Sequence, residues 1–262
     1  MAAEQAEHLH EVNQTAEEEE PEGGTMTLIE HLEELRGRMI KALIAVAAFS
    51  ILGVVFWDRI IGFLLIPLPA AANKLPGAEK GQLVAHDIGE PFMVALKVGI
   101  AVGIMAASPV ILYQLWAFIS PALTRRERKY ALPFTLLGVG LFFVGITVGF
   151  IVLRYPIDWL VTFGNDRFIL LTDADSYFTF VTYFLLAFAI VFELPLVLTF
   201  MSVVGVISST VLRQKRMIIL FGLWFLSCFI TPGADPFSPV IIGVSFTVLF
   251  ELSILLMRAI GR

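Results

Sequence analysis

Apolar residues in this chain fall into long runs separated by short polar stretches, and the lengths of the runs set what each can be. Six read as membrane spans: Met39 to Trp57, Phe92 to Ile119, Ala131 to Leu153, Tyr177 to Ile207, Met217 to Ile230 and Phe237 to Met257. A helix needs about 20 apolar residues to cross a hydrocarbon core of about 30 Å. The second and fourth runs exceed that length, which predicts tilted or projecting helices. The fifth holds 14 residues, about 21 Å of helix. If the fifth and sixth both cross, the bilayer is thinned or the protein wedge-shaped at that edge.

Punctuation between the runs refines this reading. TLIEHLEELRGRM precedes the first span, with Thr27 and Glu30 spaced as a capping box. Leu28, Leu32, Leu35 and Met39 share one helical face and Glu30, Glu33 and Glu34 the other, predicting a short helix along the interface. Pro109 predicts a kink in the second span, Ser120-Pro121 its end, and Pro195 an opening in the middle third of the fourth. Thr231-Pro232-Gly233 turns the chain between the fifth and sixth spans, and Pro239 stands in the first turn of the sixth. Segment 58–90, with three prolines, reads as a polar, structured loop with short helices, and segment 154–176, with Asp158, Asp166, Asp173 and Asp175, as a second polar loop. Lys97, near the start of the second span, has the length to snorkel outward.

Composition agrees with the runs. The 262 residues are 58% hydrophobic and 16% charged, with a mean hydropathy of +0.84, outside the soluble globular range. The fold class predicted is an all-α integral membrane protein. The net charge of -5 is set by the first 24 residues, which hold eight acids and no Lys or Arg; the remainder carries 18 bases against 15 acids. Residues 1–24 are expected to form a disordered acidic tail without the basic start of a secretory signal. Residues 25–257 form the membrane domain, and 258–262 a short carboxyl end.

Charge also orients the spans. Twelve Lys and Arg lie at the amino-terminal flank, the loops after spans two and four, and the carboxyl end; six lie on the other side. The positive-inside rule places both termini in the cytoplasm. The span from Ser108 to Ile119 therefore meets its cationic loop, Arg125, Arg126, Glu127, Arg128 and Lys129, at the cytoplasmic rim.

Candidate chemistry is sparse. The single cysteine, Cys228, supports neither an intrachain disulfide nor a multi-cysteine metal site, and His31 and His86 are too few and too scattered for a histidine cluster. No phosphate loop, HExxH or GxSxG motif occurs. No enzyme activity, cofactor or metal is expected, and any work on a substrate draws its energy elsewhere. Glu193 lies at mid-membrane depth, where a carboxylate is neutral, paired or facing a wet cavity; it reads either as functional or as a protonated group bonded to a neighbouring helix. Glu127, among four cations, reads from charge alone as a local ion-pair partner. Glu251 is near enough to its span's end to reach the interface. Trp57, Trp116, Trp159 and Trp224 mostly fall near span ends, as in an indole belt. No long-period repeat is evident beyond the echo of FELPLVL at 192–198 in FELSILL at 250–256.

HLEELRGR at 31–38, SPVILYQLWAFISPALTRRERK at 108–129, FELPLVL at 192–198 and the Thr231-Pro232 to Asp235 turn together resemble TatC, the membrane receptor subunit of the twin-arginine protein translocase. The blocks stand in the family's order over about residues 26–257. The resemblance implies six spans forming a concave cup with both ends cytoplasmic, in the cell inner membrane. It further implies binding of cargo signal peptides that carry consecutive arginines, through Glu34 and Glu127, with Phe118, Arg125 and Arg126 in the same surface. Glu193 matches the family's intramembrane glutamate, and spans five and six resemble the docking edge for the single-span subunits TatA and TatB, or one bifunctional TatA. Thr231 and Ser238 fall in that partner-contact region. Many relatives carry Gln where Pro239 stands, so the resemblance implies that the hydrogen bond to a partner helix is either absent or supplied by Ser238. Folded cargo is then driven by the proton gradient, self-association is compatible, and no nucleic acid is involved. The competing reading is a proton-coupled transporter of a small substrate using Glu193, with a purely structural scaffold behind it.

Overall fold

Backbone N–H and C=O groups in hydrocarbon must be satisfied within their own segment, so apolar runs of this length close into helices. The computed structural model describes residues 28–69, 83–119, 131–163, 171–233 and 235–259, and they are almost wholly helical. The elements in order are α1 (Leu28–Val55), α2 (Trp57–Leu64), α3 (Glu90–Ile119), α4 (Ala131–Val152), α5 (Arg154–Thr162), α6 (Ala174–Val191), α7 (Leu194–Val203), α8 (Ser209–Gln214), α9 (Arg216–Ile230) and α10 (Phe237–Ala259). Among the described residues, five stretches are long and apolar enough to cross a membrane, and α9 is a shorter apolar sixth.

Several expectations sharpen. The interface helix and the first span are one continuous helix, because no Gly-Pro break separates Leu28 from Val55. Both polar loops contain helix, α2 in the first and α5 in the second. Only Leu153 separates α4 from α5, so an apolar run extends from Leu132 to Thr162. Among the described residues, the sole β pairing is an isolated parallel bridge between Val84 and Asp173. Helix α3 continues through Pro109. The fourth run does break, at Phe192-Glu193, into α6 and α7. Pro195 explains this: it has no N–H to offer the preceding turn and its ring crowds the carbonyl there.

The chain divides into two units, Met1–Gly37 and Arg38–Arg262. In the larger one α6 is the central helix, packed on α3 and α4. Val181, Phe184, Phe188 and Ala189 are fully buried on it, and between membrane helices such side chains act through close van der Waals packing. A second cluster joins α8 to α10 through Leu212, Phe250, Ile254 and Met257. Gly53 of α1 meets Gly99 of α3 backbone to backbone: a Cβ on Gly53 would stand 2.7 Å from the Gly99 carbonyl oxygen. Small residues at both positions allow that approach, as is usual between membrane helices.

Candidate functional site

Glu193 occupies the break itself. It precedes Leu194, the first residue of α7, and its backbone stays in the right-handed helical region. Its side chain turns toward α4, where a Cβ on Gly138 would lie 3.3 Å from Glu193 Oε2 and 2.8 Å from Leu196 Cδ2. Only glycine leaves room for the carboxylate here. Glu193 Oε1 is buried without a hydrogen-bond partner, as are Ser108 Oγ, Thr199 Oγ1, Ser202 Oγ and Trp116 Nε1 on α3 and α7. Unmet polar groups in low dielectric are costly. Trp116 is 5% exposed, packed against Phe200 at 4.6 Å and Phe134 at 5.2 Å between ring centroids. The expected interfacial indole is instead a core residue, because α4 and α7 both supply rings at its level.

The remaining predicted residues are dispersed over several elements. Glu34 lies in the first turns of α1, its Oε2 3.7 Å from His31 Nδ1. Phe118 is half-buried near the end of α3. Glu127, Arg125 and Arg126 lie outside the described residues, as do Thr27 and the acidic tail. Thr231 Oγ1 donates to the Cys228 carbonyl at 3.2 Å. Ser238 is fully buried, and its Oγ donates to Asp235 Oδ2 at 2.7 Å while its N–H donates to Asp235 Oδ1 at 2.7 Å. Asp235 thus caps α10 and engages the Ser238 hydroxyl. Glu251 pairs with Arg216 of α9 at 2.9 Å.

Sequence reading overlooked a polar network where α3 and α6 begin. Lys97 Nζ donates to both oxygens of Asp175, at 2.5 and 2.8 Å, instead of simply snorkelling. Glu90 accepts from the His86 N–H at 2.6 Å and the Asp175 N–H at 3.2 Å. His86 Nδ1–H donates to Asp173 Oδ1 at 2.9 Å, and the Ser176 N–H donates to Asp173 Oδ2 at 2.8 Å. The bond from Ser176, aided by His86 and Glu90, holds the Asp173 carboxyl at about 2, below its ordinary 3.8. His86, Glu90 and Asp173 bring ligand atoms within 4.8 Å of one another, close enough to hold a cation. No local spacing announces the network, since its partners lie up to 87 residues apart.

Residues 30–257 match the family model of the Sec-independent protein translocase protein, TatC. The chain belongs to the TatC family. It is 34% identical to the TatC protein of Desulforapulum autotrophicum over 89% of this chain and 84% of that one. With the TatC of Carboxydothermus hydrogenoformans the identity is also 34%, over 90% and 94%. A crystal structure of the twin arginine translocase receptor TatC superposes with a TM-score of 0.74 at 32% identity, covering 89% of this chain and all of that one. The six apolar helices are thus the six spans of a TatC membrane protein, a component of a protein translocase, and the small-substrate transporter reading is set aside.

Proposed function

We propose that this TatC protein is the receptor that selects signal peptides bearing paired arginines, at a cytoplasmic rim where both its termini lie. The observation that carries the reading is the family match over 30–257, which takes in both HLEELRGR and SPVILYQLWAFISPALTRRERK. Glu34 and Glu127 are the carboxylates assigned to the guanidinium groups, with Phe118, Arg125 and Arg126 completing the surface. Guanidinium forks engage carboxylates through paired, charge-assisted hydrogen bonds that an ammonium reproduces poorly, so Arg-Arg is distinguished from Lys-Lys. The apolar stretch of the signal then lies between spans.

Single-span subunits of the TatA or TatB type dock along α9 and α10. Support comes from the outward stripe of Ile218, Phe221, Phe225 and Phe229, between 60 and 74% exposed and spaced to receive a second helix. Glu193, Thr231 and Ser238 contribute polar contacts to that assembly. Transport of folded cargo across the cell inner membrane draws on the proton gradient, and the protein acts as receptor and scaffold without catalysing a reaction.

The deciding experiment places the photocrosslinker on a twin-arginine signal peptide, beside its arginine pair, and offers it to the protein in membranes alongside a Lys-Lys control. The Arg-Arg peptide is expected to crosslink and the control to fail. Glu34→Arg or Glu127→Arg is expected to weaken peptide binding about tenfold or more, the scale of a lost charged hydrogen bond, with insertion intact. Undiminished crosslinking in those variants refutes the assignment.

A further inference from the structure

Two hollows meet at Lys97. The first, of about 700 Å³, carries the charged or polar side chains of His86, Asp87, Glu90, Lys97, Asp173 and Asp175. The second, of about 310 Å³, runs between α3 and α6 past Ile100, Ile104, Thr179, Tyr183 and Leu186. It faces outward, with Ile100 50% and Tyr183 59% exposed. From Asp175 to Leu186 the α6 wall is roughly 16 Å long. A charge-bearing hollow that shares Lys97 with an apolar trough has the division of a phospholipid, head and tail.

The polar groups specify the head. Lys97 spends two of its three N–H donors on Asp175, leaving one for a phosphate oxygen. Asp175 retains lone pairs beside it, and Glu90 and Asp173 add negative charge to the chamber. A cation and an anion side by side complement a head that is itself zwitterionic. A primary ammonium suits Asp175 better than a quaternary one, because only the former donates hydrogen bonds.

Thr179 supplies the third contact. It lies one helical turn below Asp175 on the same face of α6. Thr147, Thr182 and Ser253 each donate their hydroxyl to the carbonyl four residues back. Thr179 Oγ1, although buried, has no partner while lining the trough. An unmet buried hydroxyl is costly, and an acyl ester carbonyl one turn below a phosphate would satisfy it.

We propose that the α3–α6 trough binds an amine-headed zwitterionic glycerophospholipid, phosphate on Lys97, ammonium on Asp175, ester carbonyl on Thr179 and one acyl chain along Ile100, Ile104 and Leu186. The site is independent of the signal-peptide surface, since it uses none of its residues.

The test is native mass spectrometry of the full chain, delipidated in detergent and supplied in turn with phosphatidylethanolamine, phosphatidylcholine and phosphatidylglycerol. Phosphatidylethanolamine is expected to be retained about tenfold over either competitor, the effect of one charge-assisted hydrogen bond. Thr179→Val and the trough-filling Ile104→Trp are expected to reduce retention, and Asp175→Asn to abolish the preference for the ethanolamine head over the choline head. A phosphatidylethanolamine carrying a photoreactive acyl chain should label peptides containing Ile100–Ile104 and Tyr183–Leu186 in the unaltered protein, a readout that needs no variant to fold. Equal retention of the three lipids, preference for phosphatidylglycerol, or labelling confined to other helices overturns the proposal.

Discussion

Asp173 caps α6 through the Ser176 N–H and joins the chain ahead of α3 to that helix through His86. Its depressed pKa makes both contacts dependent on acid. The folded protein binds this proton more weakly than the unfolded chain, so the stabilisation is complete above the ordinary 3.8 and is lost as pH falls toward about 2. The thermal midpoint in detergent, followed from about pH 5 to about pH 2.5, is expected to fall, and Asp173→Asn to flatten that decline because the amide oxygen still caps but does not titrate. His86 and Glu90 remain in both proteins, so the difference isolates Asp173. Matching curves would remove it from the account of acid sensitivity. Glu193 yields a separate expectation, since it sits at the α6–α7 break against Gly138 of α4. Glu193→Ala should impair co-purification of single-span partners and export more than signal-peptide crosslinking, whereas Glu193→Gln, which keeps donors and acceptors at the break, should retain most assembly. Normal export by the alanine variant would count against a functional role.

At the level of elements, the α1–α3 crossing depends on having no side chain at its centre. A Cβ on Gly99 would stand 3.0 Å from the Val54 backbone nitrogen and closer still to the Val54 side chain. The backbone cannot yield as a long side chain would, so Gly99→Ala is expected to cost about 1–3 kcal/mol, the usual range for overpacking. Gly140 on α4 provides the contrast. Nothing lies within 4 Å of the Cβ it would acquire, and in a helix interior alanine is favoured over glycine by about 0.5–1 kcal/mol. Thermal midpoints of the two variants should therefore move in opposite directions; a Gly99→Ala protein as stable as the parent would show that the helices slide apart without loss. Such crossings are invisible in the sequence, where Gly99 and Gly140 look alike.

For the molecule as a whole, run lengths carry the six helices and Pro195 the break between α6 and α7, because hydrocarbon length and a missing N–H act locally. What joins helices across long separations was not legible. Lys97 read as a snorkelling cation and pairs with Asp175, and Trp116 read as interfacial and is enclosed by Phe134 and Phe200. In each case the missing information was which other helix stands opposite. The shortness of the fifth span was legible and holds, since α9 has 15 residues, about 22 Å at 1.5 Å per residue. Arg216, paired with Glu251, fixes one end of it in polar surroundings, and the Thr231-Pro232 turn ends the other. With a hydrocarbon core of about 30 Å, the bilayer must thin along α9 or its ends must be dragged into lipid, at a cost that grows with thickness. Reconstituted in phosphatidylcholines of increasing chain length, the protein is expected to lose thermal stability steadily, and insertion of one further apolar turn in α9 after Phe225 to move the optimum toward thicker bilayers. Stability indifferent to chain length in both proteins would mean that α9 does not meet lipid along its length, and the outward stripe of Ile218, Phe221, Phe225 and Phe229 would then have to be covered by protein instead.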